Sequence, residues 1–444
     1  MTALSIASAP TTQTEAPANI GLLRFITAGS VDDGKSTLIG RLLYDSKSLH
    51  ADQVSAIEQS SLKRGLSEVD LSLLTDGLQA EREQGITIDV AYRYFSTPKR
   101  KFIIGDAPGH EQYTRNMVTA ASTAELAVIL VDARKGLATQ TRRHSYLAHL
   151  LGVKHIVLAI NKMDSVDWQQ DIYRQIVSDY QEFAEALGLS NIVAIPMSAL
   201  KGDNVVDAST AMPWYQGPTL LDYLQTVSTL ADVSNKALRL PVQRVVRVML
   251  GNAANQVIGD DEEFRGYQGT LAEGSLQCGD TVMVLPAWRS SQVRSLKLAG
   301  KSVKKAVAGS AVVVELEDEI DISRGDIIVG NDQPPKVTRE LDADICWLAE
   351  QPLNPKAKYL IKHTTRTVKG LFGELHYKIN VNTLEQHPQP EAVHMNDIVR
   401  VQIKLQQALF VDTYAENKVT GSFIVIDESS LATVAAGVDR RAHV

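Results

Sequence analysis

The stretch from Gly29 to Ser36 constrains the fold more than any other part of the chain, because it matches the G-x-x-x-x-G-K-[ST] pattern of a phosphate-binding loop. A strand-like apolar run precedes it, and apolar residues at helical spacing follow it. This arrangement points backbone N–H groups and the positive end of a helix at a phosphate. In such a loop Lys35 reaches the β- and γ-phosphates, and the Ser36 hydroxyl binds Mg²⁺. The alternative is a chance match, which the flanking strand and helix disfavour.

Composition narrows the class of protein. A length of 444 residues predicts about two to four domains. The net charge of -7 gives no overall attraction to nucleic acid or to an anionic membrane. Cys278 and Cys346 are too few for a disulfide framework or a cysteine-rich metal site, which favours the cytoplasm. No apolar run approaches the roughly 20 residues of a membrane span, and residues 1–19 are expected to be a disordered tail.

From residue 22 to about residue 230, strand-like runs alternate with helical patterns. This alternation is typical of a parallel sheet with helices on both faces, in which ligands bind at the carboxyl ends of the strands. The predicted strands are Phe25 to Ala28, Phe102 to Gly105, Leu126 to Val131, His155 to Ile160 and Ile192 to Pro196.

The segment Asp106-Ala107-Pro108-Gly109-His110 follows the second of these strands. An Asp at a strand end can hold the hydration shell of Mg²⁺, and the glycine can present an N–H to the γ-phosphate. The histidine would then lie near the attacking water. A surface turn is the alternative for this segment taken alone, and the upstream phosphate loop favours the functional interpretation.

The segment Asn161-Lys162-Met163-Asp164 follows a later strand, and its sequence indicates which nucleotide base the site binds. The Asp164 carboxylate can accept hydrogen bonds from N1–H and the 2-amino group of guanine, whereas adenine lacks that pair of donors. Ser198-Ala199-Leu200, after the next strand, can close on the base through backbone N–H groups.

Thr87 follows a segment from Leu49 to Glu83 that has mixed periodicity and many polar residues, as expected of a mobile loop. Its hydroxyl could reach Mg²⁺ only when a γ-phosphate holds the loop in place. A Thr beside an Ile is otherwise more often an ordinary strand residue.

These five stretches, in the order in which they occur along the chain, form the motif set of a guanine-nucleotide switch. Residues 29–38 and 106–117 resemble the translation elongation factor group. Within that group, residues 40–46, 75–89 and 198–204, together with the double Asp of the phosphate loop, resemble the large GTPase subunits of bacterial sulfate adenylyltransferase. The resemblance extends from about residue 22 to residue 430.

The resemblance implies an α/β P-loop GTPase domain followed by two small β-barrel domains. Short strands separated by glycine-bearing turns beyond residue 237 independently favour barrels. The expected divisions are a GTP-binding domain over 20–232, barrels over 237–333 and 338–430, and a loose tail over 431–444.

The resemblance also implies a function. In this family GTP hydrolysis drives a small catalytic subunit to make adenylyl sulfate and pyrophosphate from ATP and sulfate, the first step of sulfate assimilation. The chain has no second phosphate loop and no His-x-Gly-His nucleotidyl-transfer motif, so it needs that partner. A translation factor is the rival interpretation. The basic residues Arg134, Lys135, Arg142 and Arg143 are expected to be solvated, so neither nucleic acid nor a membrane is expected as a partner.

The expected cofactors are GTP and Mg²⁺. Transferred motif by motif, the resemblance implies three catalytic residues, Lys35, Thr87 and His110, and three residues at the metal, Ser36, Thr87 and Asp106. The expected GTP-binding residues are Gly29, Ser30, Val31, Asp32, Asp33, Gly34, Lys35, Ser36, Thr37, Asp106, Ala107, Pro108, Gly109, His110, Asn161, Lys162, Met163, Asp164, Ser198, Ala199 and Leu200.

Overall fold

The computed structural model describes residues 21–47, 55, 71, 89–110, 113–189, 191–228, 236–248 and 264–440. Three predictions lie outside this part of the chain. They are the disordered tail over residues 1–19, the switch residue Thr87, and nearly all of the loop from Leu49 to Glu83.

The first domain is built on a six-stranded sheet in the order β2-β3-β1-β4-β5-β6. Five strands are parallel, and β2 pairs antiparallel with β3 at one edge. The parallel sheet confirms the prediction, whereas the edge strand β2 was not predicted. The strands are β1 Leu22–Ala28, β2 Ala91–Ser96, β3 Lys101–Asp106, β4 Leu126–Asp132, β5 His155–Asn161 and β6 Ile192–Pro196.

Helices cover both faces of this sheet, so its central strands are buried on both sides. Every residue of β4 is buried, which explains its continuous apolar sequence. No helix in the described ranges is both long and apolar enough to cross a membrane. One face is covered by α1 Lys35–Asp45 and α5 Leu220–Thr226, and the other by α2 Thr114–Ala121, α3 Thr139–Leu150 and α4 Gln170–Leu187.

The second domain is a β-barrel that closes where β7 meets β9. At this closure Gln243 N donates to Gln268 O at 2.7 Å, and a Cβ on Gly269 would lie 2.3 Å from Pro241 O. Only glycine therefore allows the two backbones to approach this closely. The strands are β7 Arg239–Pro241, β8 Arg244–Val248, β9 Phe264–Thr270, β10 Ser275–Gln277, β11 Thr281–Leu285, β12 Arg289–Leu298, β13 Lys301–Val303, β14 Lys305–Val307, β15 Ala311–Leu316 and β16 Ile327–Gly330.

The third domain is a second barrel, in the order β18-β22-β23-β17-β21-β19, and it closes through pairing of β18 with β19. A short strand, β20, pairs with the end of β19. The strands are β17 Lys336–Trp347, β18 Lys358–His363, β19 Arg366–Ile379, β20 Gln386–Pro388, β21 Ile398–Val411, β22 Ser422–Asp427 and β23 Thr433–Asp439.

The strand β23 corrects the prediction of a loose tail over residues 431–444. It lies between β17 and β22 and pairs antiparallel with both. Small residues suit this position, since Ala435 is fully buried and a Cβ on Gly437 would lie 2.4 Å from the Phe423 ring. The Ala- and Val-rich sequence that suggested a loose tail is thus that of a strand packed closely between two others.

Both interfaces of the third domain are specific contacts between domains. Against the GTP-binding domain, the Tyr414 hydroxyl donates to Leu151 O at 2.6 Å, and apolar residues of the two domains share one buried cluster. Against the second domain, Arg239 donates to both carboxylate oxygens of Asp412 at 2.8 Å. The three domains therefore form one packed unit.

Candidate functional site

The phosphate loop, residues 29–36, joins β1 to α1 and places the helix N-terminus at the carboxyl edge of the sheet. Asp32 and Gly34 both have left-handed backbone angles, with φ values of 67° and 92°. A Cβ on Gly34 would lie 2.5 Å from the Asn161 side-chain nitrogen, so a larger residue at position 34 would displace the Asn161 side chain. The α1 helix begins at Lys35, which directs the first backbone N–H groups of the helix toward the loop.

Lys35 lies buried at the centre of the phosphate loop. Its Nζ donates to Gly29 O and Ser30 O, both at 3.0 Å. Burial lowers the pKa of this ammonium group, while the charges of Asp106 and Asp33 act in the opposite direction. These contacts hold a cation where the loop sequence predicts the β- and γ-phosphates.

Asp33 holds the loop in shape. Its Oδ2 accepts a hydrogen bond from Ser30 N at 2.6 Å, and its carbonyl oxygen accepts one from Asn161 Nδ2 at 2.8 Å. Burial raises the pKa of Asp33, and the nearby Lys35 opposes that effect. The second residue of the double Asp therefore connects the phosphate loop to the segment predicted to bind the base.

Asp106 ends β3 and is buried beside the same loop. Its Oδ1 accepts a hydrogen bond from Thr27 Oγ1 at 3.1 Å, which fixes the direction of the carboxylate. The Ser36 hydroxyl belongs to the first turn of α1. Hydroxyl and carboxylate oxygens are hard donors of the kind that Mg²⁺ prefers, so this donor set fits the predicted ion.

The segment from Asp106 to His110 crosses the mouth of the phosphate loop. A Cβ on Gly109 would lie 2.7 Å from Lys35 Nζ and 2.9 Å from Gly29 O, so the glycine backbone packs directly against the loop. The next residue, His110, has a buried Nδ1 without a hydrogen-bond partner in the described part of the chain. Its ring lies edge-on to Tyr113, with centroids 6.3 Å apart.

The segment from Asn161 to Asp164 lies beside the phosphate loop. Lys162 adopts a left-handed conformation with φ of 64°, donates to Asp32 O and pairs with Asp132 Oδ2 at 3.1 Å. Met163 is fully buried, and the half-buried Asp164 lies in the short 3₁₀ helix Met163–Val166. The structure therefore brings the predicted base and phosphate segments together.

The base loop, residues 198–201, completes the cluster. Asn161 links it to the phosphate loop, because Oδ1 accepts a hydrogen bond from Ala199 N at 2.9 Å while Nδ2 donates to the phosphate loop. Ser198 Oγ accepts from Lys201 N at 3.2 Å and stabilises the turn. All predicted site residues except Thr87 lie in the described part of the chain.

Sequence reasoning missed residues that support the site. Asp132 has a fully buried side chain at the end of β4. Arg134 donates to both of its carboxylate oxygens, from Nε to Oδ1 at 2.9 Å and from Nη2 to Oδ2 at 2.6 Å. These hydrogen bonds and Lys162 hold the pKa of Asp132 well below its usual range, against the effect of burial. Its position after an apolar strand, like that of Asp106, is a signal that could have identified it.

Arg41 was also missed as a site residue. Its guanidinium, on α1, contacts the backbone carbonyls of Ala199 and Leu200 in the base loop. Because these residues are separated by 158 and 159 positions, no local pattern indicates the contact.

Comparison with known proteins identifies the family of the chain. Residues 21–234 match the model of the elongation factor Tu GTP binding domain, and residues 340–438 match that of the GTP-eEF1A C-terminal domain-like family. A sulfate adenylyltransferase subunit 1 from Aliarcobacter butzleri (strain RM4018) is 52% identical over 425 residues, which is 95% of this chain and 88% of that protein.

Two further relatives are similar along most of the chain. A sulfate adenylyltransferase subunit 1 from Cellvibrio japonicus (strain Ueda107) is 49% identical over 420 residues, covering 94% of this chain and 86% of that protein. A bifunctional enzyme CysN/CysC from Mycobacterium tuberculosis (strain CDC 1551 / Oshkosh) is 50% identical over 418 residues, covering 94% and 67%. The chain therefore belongs to the sulfate adenylyltransferase subunit 1 family, and its first domain is a GTP-binding domain of the elongation factor Tu type.

Proposed function

We propose that the cluster of loops at the carboxyl edge of the sheet binds GTP and performs its hydrolysis. The chain is the GTPase subunit of sulfate adenylyltransferase, in which this hydrolysis drives the formation of adenylyl sulfate and pyrophosphate. The observation that carries the site assignment is the double contact of Asn161. Its side chain bonds both the phosphate loop and the base loop, so one residue joins the two loops that are proposed to hold opposite ends of the nucleotide.

The phosphate end is the part of the proposed site that stabilises charge. Lys35 and the backbone N–H groups of residues 29–36 surround the β- and γ-phosphates, where positioned donors act most strongly as charge develops. Ser36 and Thr87 would ligate Mg²⁺, with Asp106 in contact with its bound water. When bound, the ion neutralises charge on the β- and γ-phosphate oxygens.

His110 is the proposed residue that orients the attacking water. Its backbone continues from Gly109, which packs against the phosphate loop, so His110 directly follows the segment expected at the γ-phosphate. The Nδ1 atom without a partner in the described structure supports a role toward a molecule other than the protein itself. Gly109 presents its N–H to the same phosphate.

The base end selects guanine in this proposal. Asp164 accepts hydrogen bonds from N1–H and the 2-amino group, and the base loop presents backbone N–H groups to the 6-oxo group. Lys162 holds the base segment beside the phosphate loop, because it donates to Asp32 O and pairs with Asp132. A purine without the matching donors leaves a polar site unpaired, which is the strongest source of discrimination.

The partner is proposed to be a small catalytic subunit that joins ATP and sulfate in the cytoplasm. The mixed anhydride of adenylyl sulfate is costly to make, and GTP hydrolysis offsets that cost. Such coupling requires the partner to distinguish the GTP-bound from the GDP-bound state of this chain. The segments that sense the γ-phosphate, before Thr87 and after His110, are the proposed contact surface.

The test measures pyrophosphate and phosphate release with this chain alone, with the small subunit alone, and with both. We expect slow GTP hydrolysis and no adenylyl sulfate from this chain alone. Mixing should produce adenylyl sulfate and accelerate GTP turnover together. Adenylyl sulfate made by this chain alone would contradict the division of labour, and stimulation by ribosomes instead of the small subunit would favour a translation factor.

A further inference from the structure

Arg41 connects the helix that follows the phosphate loop to the base loop. Its Nε donates to Ala199 O at 3.2 Å, and its Nη2 donates to Leu200 O. The side chain is only 19% exposed, and Asp45 lies one helical turn away with an Oδ1 atom 3.6 Å from Arg41 Nη1. The partly buried Arg41 side chain therefore donates to two consecutive carbonyls of one short loop.

The base loop is held from two sides. Asn161 accepts a hydrogen bond from Ala199 N, whereas Arg41 donates to the carbonyl of the same residue. On the α1 side the packing is close, because a Cβ on Gly202 would lie 3.5 Å from Arg41 Cδ. Gly202 also has φ of 87°, which lets the chain turn away immediately after the loop.

The two carbonyl contacts determine where the loop directs its N–H groups. In a trans peptide the C=O and the following N–H point in opposite directions. Because Ala199 O points toward Arg41, the N–H of Leu200 points away from it. A charged donor on a carbonyl also polarises the peptide and strengthens the hydrogen bond that its N–H can donate.

We propose that Arg41 is a positioning residue for guanine specificity. It orients and polarises the peptide between Ala199 and Leu200, so that the base loop donates to the 6-oxo group of the purine. Arg41 itself does not touch the nucleotide. This inference rests on the proposed GTP site and adds to it a residue outside the recognised motifs.

The experiment compares two ligands that differ at the 6-position. GDP carries the 6-oxo group and N1–H, whereas the 5′-diphosphate of 2-aminopurine riboside keeps the 2-amino group and lacks both. The loss at N1 is common to all variants, so each variant is compared with the unsubstituted chain for the same ligand. Their dissociation constants are measured by calorimetry for the full chain and for Arg41→Gln, Arg41→Lys and the control Arg174→Gln. Arg174 is a suitable control because it is exposed on α4 and pairs only loosely with Asp171, at 3.8 Å.

We expect Arg41→Gln to weaken GDP binding by up to about 10-fold, because a misoriented Leu200 N–H would no longer donate a full hydrogen bond to the 6-oxo group. Binding of the 2-aminopurine diphosphate should change less than about twofold. Arg41→Lys keeps the positive charge but not the planar guanidinium group. Its loss of GDP affinity should therefore lie between those of the unsubstituted chain and Arg41→Gln. Arg174→Gln should leave both dissociation constants unchanged.

Two results would overturn the inference. One is unchanged GDP affinity in both Arg41 variants, and the other is an equal loss for both ligands, which would indicate a merely structural role. Thermal melting identifies a variant that misfolds. If Arg41→Gln misfolds, the GDP and analogue affinities of the milder Arg41→Lys variant test the inference instead. If the unsubstituted chain does not prefer GDP to the analogue, the proposed base recognition itself is wrong, and the inference falls with it.

Discussion

At the scale of single residues, the site is a set of side chains that hold backbone segments at fixed distances. Asn161 bonds the phosphate loop and the base loop, and Lys162 bonds the phosphate loop and Asp132. Within the phosphate loop, the Asp33 carboxylate accepts a hydrogen bond from Ser30 N. Most of these contacts involve backbone atoms, so these side chains fix the positions of the backbone segments that form the site.

Asp164→Asn should change the preferred base. The amide offers one donor where the carboxylate offers only acceptors, so guanine loses a hydrogen bond and xanthine gains one. We expect a relative shift of roughly 2–4 kcal/mol toward xanthine. Binding of GDP and xanthosine diphosphate to both forms measures it, and unchanged GDP affinity would contradict the assignment.

His110→Ala should slow GTP hydrolysis by about 10–100-fold while GTP affinity changes little. The reason is that orienting water matters mainly in the transition state. Single-turnover hydrolysis and nucleotide binding are measured side by side. If hydrolysis continues at the original rate, the water is oriented by a different group.

Asp132→Asn should destabilise the chain at neutral pH, because Arg134 and Lys162 lose their charged partner. The pKa of Asp132 is depressed in the folded chain. Its contribution is therefore present above the unfolded value of about 3.9 and is lost as the pH falls through the folded value. The stability difference between the two forms should stay constant from about pH 8 to 5 and shrink below about pH 4. Asp171→Asn, at an exposed ion pair, should show little effect at any pH.

At the scale of elements, strand order determines which segments are essential. The last strand, β23, lies in the middle of the third domain between two partners, although it is the end of the described chain. Removing it would leave two strand edges open and expose core residues such as Ala435 and Val438.

Deletion of residues 431–444 should therefore prevent the third domain from folding. Deletion of residues 441–444 alone is the matched control, since it leaves β23 intact. Solubility, hydrogen exchange in β17 and β22, and thermal melting compare the two truncations. If both fold equally well, β23 does not contribute to the barrel as the structure indicates.

At the scale of the whole molecule, the three domains are joined by buried polar contacts as well as by apolar packing. The pair of Arg239 and Asp412 joins the barrels with both side chains nearly inaccessible, at 5% and 11% exposure. Arg239 also donates to the carbonyls of Leu238 and Gln333, at 2.9 and 2.7 Å. A buried cation with this many partners fixes the orientation of the two barrels.

Asp412→Ala should cost about 3–5 kcal/mol, because it leaves the Arg239 guanidinium buried without its counter-charge. Glu317→Ala is the matched control. It breaks a pair with Arg294 whose side chains are 53% and 47% exposed, and it should cost less than about 1 kcal/mol. Chemical denaturation of both variants gives the comparison, and equal losses would refute the buried contact.

The sequence by itself determined the features that depend on neighbouring residues. The phosphate loop requires glycines, a Lys and a Ser at fixed spacing, and the central strands require continuous apolar runs. Both features could therefore be predicted from the sequence. The segments after those strands were expected at one edge because parallel strands end together. The tertiary structure alone decided the features that join distant residues. It placed β23 inside a barrel, brought Arg41 to the base loop and paired Asp132 with Lys162. Such contacts form only when the whole chain packs, and residues far apart in sequence leave no local pattern from which to predict them.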